Sequence, residues 1–185
     1  MAALLSAAGC DLTGGTESSA PPAGNQTATG SDPAEPGGGG SPVDTGVVER
    51  VVDGDTVILE LAGESERVRL IGVDSPESVA ENRPVQCYGP EASDALKALL
   101  PPGTTVSITR DVESRDRYDR LLLYLHRASD GLFVNEWLVA EGYAESHPYP
   151  PNVTLQAQLD DAEAAARAEQ RGLWGSCDGP DQPLN

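Results

Sequence analysis

Three short stretches hold residue types that could handle a phosphate: Val52-Asp53-Gly54-Asp55-Thr56, Arg69-Leu70-Ile71-Gly72-Val73-Asp74-Ser75-Pro76-Glu77 and Asp116-Arg117-Tyr118-Asp119-Arg120. Asp55 falls where a first hairpin turns. Asp74, Ser75 and Glu77 fall where a third strand ends. Two or three carboxylates with a backbone carbonyl make a hard oxygen site, suited to Ca²⁺ or Mg²⁺ rather than zinc. Arg69 and Arg120 add planar guanidinium groups that match two phosphate oxygens each. Singly, each feature has a plainer reading. Asp-Gly-Asp-Thr is an ordinary turn. Asp74 to Glu77 reads as a capping box opening a helix, and Arg69 could pair with Glu60 on a strand surface. Their joint occurrence at strand ends points to chemistry.

These residues need elements to bring them together. Gly46–Val52 is apolar and β-branched and reads as a strand. Thr56–Leu61 alternates, with Val57, Leu59 and Leu61 on one face. Ala62 to Ser65 turns the chain, and Arg67–Val73 reads as a third strand bent at Gly72. A helix starts at Pro90 and stops at Pro101-Pro102. Thr104–Arg110 and Arg120–His126 read as two further strands. Asn135 is placed to cap a short helix through Tyr143. Residues 153–171 carry Leu155, Leu159, Ala162 and Ala166 on one helical face, with Glu163, Arg167 and Arg171 at i,i+4 spacing and Gly172 as a C-terminal cap. The order is α+β and suits a five-stranded OB-type barrel with about three helices. In a meander the first hairpin and the end of the third strand are neighbours, so Asp55 and Asp74 can meet.

Composition sets the limits of that domain. Residues 11–45 are dominated by Gly, Ser, Thr, Pro, Asn and Asp. They lack the apolar surface to offset ordering entropy and read as a disordered tether. About 140 residues remain, enough for one core, which places the folded domain at 46–177 and a short tail at 178–185. The formal net charge is −18. Nucleic-acid binders are usually basic, so a substrate of that kind would depend on local arginines, and every basic residue except Lys97 is an arginine.

The three cysteines divide unevenly. Residues 1–10 are apolar and small up to Cys10, like the end of a lipoprotein leader with its lipidated cysteine, although a basic n-region is missing and the segment is too short to span a bilayer. With Cys10 set aside, Cys87 and Cys177 form a pair, expected as a disulfide in an exported protein. His126 reads as packing, and Trp137 and Trp174 as core. Asn25 and Asn152 each begin a glycosylation sequon.

From about Val47 to Trp174 the chain resembles the thermonuclease family, the staphylococcal-nuclease-like domains. The stretches above carry the resemblance, together with Tyr88-Gly89-Pro90-Glu91-Ala92-Ser93, Val134-Asn135-Glu136 and Gly172-Leu173-Trp174, in the family's order. It implies an OB barrel with three helices and a Ca²⁺-dependent hydrolysis of DNA and RNA that leaves 3′-phosphate ends. It implies Asp55, Asp74 and the Ser75 carbonyl as metal ligands; where this chain has Ser75 the family has Thr. Glu77 matches the residue that activates water, and Arg69 and Arg120 match the phosphate-gripping pair. Arg117 and Tyr118 match residues that hold a terminal phosphate of bound nucleotide. Tyr149 matches one of two nucleotide-bordering tyrosines; the other falls near His147, in a segment one residue shorter than the family's. The expected protein is a monomer, extracellular or on the cell surface, with membrane anchoring through Cys10 as a further expectation. The competing expectation is a non-catalytic OB-fold nucleic-acid-binding module. A degenerate module would have lost one of Asp55, Arg69, Asp74, Glu77 or Arg120, and all five are present.

Overall fold

The computed structural model describes residues 44–78, 84–177, 179–180 and 182–183. The leader with Cys10, the tether through residue 43 and Asn25 lie outside the described residues. The strands are β1 (Thr45–Asp53), β2 (Thr56–Leu61), β3 (Glu64–Leu70), β4 (Val73–Asp74), β5 (Thr105–Thr109), β6 (Leu121–Arg127) and β7 (Glu145–Ser146). The helices are α1 (Gly89–Leu99), α2 (Val134–Ala140), α3 (Gln156–Ala168) and the single turn α4 (Leu173–Ser176).

Five strands close a barrel in the order β1-β2-β3-β6-β5, and β4 pairs with β7 in a separate ladder. All pairings in the barrel are antiparallel except β3 with β6. The β2–β3 turn is two residues, Ala62 and Gly63, both at positive φ, which suits the twist of a tight hairpin. Val57, Leu59, Val68, Leu70, Leu123 and Leu125 fill the barrel, and Leu96, Leu138 and Leu159 add the helices to the same core. Burying one such leucine contributes about 2 kcal/mol. The α+β barrel and its three main helices match the expected fold.

Four local expectations are corrected. The third strand ends at Leu70, earlier than Val73, because Gly72 turns the chain at φ 73°. A Cβ on Gly72 would lie 2.3 Å from Leu159 Cδ1, so a side chain there would collide with α3. Asn135 is no cap; it is fully buried inside α2. Its amide accepts the Leu125 N–H and donates to the Ile71 and Leu123 carbonyls, groups that burial would otherwise leave unsatisfied. Gly172 does not end α3. That helix stops at Ala168, Gln170 takes the positive φ, and Gly172 precedes α4. Of the expected helix-face ion pairs, Glu163 with Arg167 forms, while Arg171 joins Glu169 and Glu141. The tryptophans are half-buried: Trp137 packs against the core and the Arg167 guanidinium lies 4.0 Å over Trp174. His126 stacks on Phe133 as a packing residue.

Candidate active site

β1 and β2 meet at Gly54-Asp55, and the register sets Thr56 opposite Arg69 on β3. That pairing carries Arg69 to Asp55. Arg69 Nη2 lies 3.1 Å from Asp55 Oδ2 and 2.7 Å from Asp74 Oδ1. The two carboxylates therefore converge on one nitrogen. Arg69 does not pair with Glu60; its other terminal nitrogen donates to the Leu70 and Val73 carbonyls. Asp55 Oδ1 accepts the Thr56 hydroxyl, and Asp55 Oδ2 accepts the Ser75 N–H at 3.3 Å. No helix begins at Asp74, so the capping-box reading falls. Gly54 permits this closeness, since a Cβ there would lie 2.7 Å from Ser75 Oγ.

The donor set fits a hard cation. Asp55 and Asp74 supply carboxylate oxygens already gathered on a positive group, and Ser75 Oγ beside them is buried without a hydrogen-bond partner among the described residues. Asp74 also faces Glu145 across the β4–β7 ladder. His147 follows the end of β7 by one residue, and ligand atoms of Asp74, Glu145 and His147 lie within 4.8 Å of one another. That group could also hold a cation.

Arg120 opens β6. The parallel pairing sets Arg69 opposite Leu122, two positions beyond Arg120, so the end of β3 and the start of β6 lie side by side. Arg120 Nε donates to Asp116 Oδ2 at 2.6 Å, and the Tyr118 and Arg120 N–H groups donate to Asp116 Oδ1. Burial pushes the Asp116 carboxyl up, but the backbone and guanidinium of Arg120 hold it below the usual carboxylate range. Arg117 donates to the Tyr118 hydroxyl, and both Arg117 and Arg120 lie over the Tyr118 ring, at 4.7 and 5.5 Å. A cleft of about 450 Å³ is lined by Arg115, Asp116, Arg117, His147, Tyr149 and Pro150 among others. It gathers the residues read as nucleotide-binding, except Tyr118. A larger hollow near Leu99 and Arg127 holds none of them.

Glu77 lies in the segment between β4 and α1. Its N–H donates to Gln86 Oε1 and its carbonyl accepts the Gln86 N–H at 2.9 Å. Asp53, read above only as a turn residue, belongs to this neighbourhood. Burial pushes its carboxyl up to about 6; hydrogen bonds from Ser78 and Gly54 oppose this, and the Asp55 charge and a hydrogen bond with Glu77 add to it. Asp53, Asp116, Gln86 and Glu145 received no role from the sequence. Asp53 and Asp116 sit inside the quoted motifs, which was a signal; Gln86 and Glu145 carry none. Asn152 is fully buried and bonded both ways to the Glu113 backbone, so its sequon is not accessible.

Cys87 and Cys177 form a disulfide with Cα atoms 6.1 Å apart. No helix among the described residues is long and apolar enough to cross a membrane.

A closed five-stranded barrel with acidic residues and arginines gathered where its first hairpin meets β3 defines a class, and the comparisons agree with it. The family model described as "Staphylococcal nuclease homologue" matches residues 67–176. The thermonuclease of Staphylococcus intermedius is 42% identical over 128 residues, 69% of this chain and 74% of that one. The thermonuclease of Staphylococcus hyicus is 39% identical, covering 70% and 75%. Endonuclease YhcR of Bacillus subtilis is 36% identical over 72% of this chain and 12% of its own length. The chain belongs to the staphylococcal nuclease family, and it is a nuclease.

Proposed function

We propose that this protein is a Ca²⁺-dependent endonuclease that hydrolyses DNA and RNA and leaves 3′-phosphate ends. The observation that carries the reading is the convergence of Asp55 and Asp74 on one nitrogen of Arg69. Asp55, Asp74 and Ser75 would hold the cation, which supplies positive charge to polarise the phosphodiester. With those carboxylates neutralised, Arg69 exchanges them for phosphate oxygens. Arg120, oriented by Asp116, takes the neighbouring oxygens; its terminal nitrogens have no other hydrogen bond among the described residues. Glu77 removes a proton from water as the water oxygen attacks phosphorus. The P–O5′ bond breaks, O5′ takes a proton from solvent water and leaves as the 5′-hydroxyl, and the two arginines stabilise the charge that builds on the phosphoryl oxygens. Arg117 and Tyr118 hold an adjacent phosphate, and Tyr149 borders the nucleotide.

The protein acts outside the cell or at its surface, as a monomer. The disulfide supports export, since such bonds persist in oxidising compartments. Lipidation of Cys10, with residues 11–45 as tether and 46–177 as the working domain, would hold it at the membrane.

Plasmid DNA and RNA digestion with Ca²⁺, and again in excess chelator, tests the reading. Cleavage of both polymers should appear with Ca²⁺ and vanish with chelator. Undiminished cleavage in chelator would remove the metal from the reaction.

A further inference from the structure

We propose that Gln86 is a positioning residue for Glu77, and that the Cys87–Cys177 disulfide with the segment at Gln182–Pro183 holds Gln86 to that task. The inference rests on Glu77 as the general base. Glu77 belongs to no helix or strand, so no ladder fixes its backbone. Gln86 substitutes for a ladder: its side-chain oxygen accepts the Glu77 N–H, and its own N–H donates to the Glu77 carbonyl at 2.9 Å. The start of α1 closes a third side. A Cβ on Gly89 would lie 2.4 Å from the Glu77 carbonyl oxygen, so the helix seats directly against that peptide.

Gln86 is itself held from the far end of the chain. It bridges to Pro183, and the next residue, Cys87, donates its N–H to the Gln182 carbonyl at 2.7 Å. Cys87 is then bonded to Cys177, immediately after α4. A continuous line of bonds thus runs from α4 to the peptide of Glu77. A general base has to meet its proton within a fraction of an ångström. Misplacement by about 1 Å can cost about a hundredfold in rate, and a loose peptide at Glu77 would displace the carboxylate at the end of its side chain.

The test is steady-state cleavage of a short single-stranded DNA oligonucleotide in Ca²⁺, well below the unfolding transition, with folding checked by circular dichroism. Gln86→Met keeps the side-chain length and removes the acceptor. It should lower kcat about tenfold to a hundredfold while KM stays within about twofold, because the phosphate-gripping arginines are untouched. The pair Cys87→Ser and Cys177→Ser should lower kcat in the same sense. Added to Gln86→Met it should give less than the product of the separate losses, since both act through one residue. Gln86→Glu keeps the acceptor and should recover most of kcat. In a Glu77→Ser background, Gln86→Met should change nothing further. Wild-type kcat in Gln86→Met, or a loss of full size in the Glu77→Ser background, would overturn the inference and leave the nuclease reading standing. Full turnover in Glu77→Ser would remove the base assignment and this inference together.

Discussion

Glu77 is held through its backbone by Gln86, and its side chain shares a hydrogen bond with Asp53. Glu77→Ser should therefore lower turnover by several orders of magnitude and leave the unfolding midpoint within a degree or two. Replacing the base removes catalysis without opening a cavity in the core, to which Glu77 does not belong. Parallel measurement of kcat and thermal unfolding checks this, and a collapse of both together would mean that Glu77 is structural. Arg69 shows why the sequence could be read here. Its motif neighbours Asp74 and Glu77 are close in the chain, and Asp55 comes from a hairpin whose register alternation fixes. Asp116 was visible in its motif, but its task was not. It lies beneath Arg120 with its side chain 1% exposed, and only a structure shows that a carboxylate in a turn points inward.

At the scale of elements, Asp111, two residues beyond β5, ties β6 to the segment that enters α3. Its carboxylate accepts the Thr154 N–H and hydroxyl and the Tyr124 hydroxyl. Burial pushes this carboxyl up, but the Thr154, Tyr124 and Val112 bonds hold it below the usual range. Its folded value lies under its unfolded one. The stability it adds is thus present above the ordinary carboxylate range and is lost as pH falls through the folded value. Asp111→Asn should cost about 1–3 kcal/mol at neutral pH, a drop of several degrees in midpoint. The gap from wild type should close in acid, and a gap constant across pH would show that charge is not involved. The barrel strands were legible because apolar alternation is a property of each strand alone. The β4–β7 ladder was not, since two-residue strands carry no period. Asn135 misled because Asn before an apolar run signals a cap, while here tertiary demand for a buried amide outweighs that preference.

The whole molecule is acidic, with a formal net charge of −18, and its substrate is a polyanion. Repulsion reaches about 30 Å at 0.01 M salt and about 10 Å at 0.1 M. KM for long DNA should therefore fall as salt rises through that range, the reverse of a basic nuclease. A KM that climbs steadily with salt would mean that local arginine contacts govern encounter. Between its two ends the chain also divides by task. Asp55, Arg69, Asp74, Ser75, Glu77 and Arg120 all precede β6, whereas the amide that satisfies Ile71, Leu123 and Leu125 waits at position 135. A nascent chain that has emerged only as far as β6 carries all the reactive groups above an unfinished floor. The strands that carry those groups thus lack part of their hydrogen bonding until position 135 joins them.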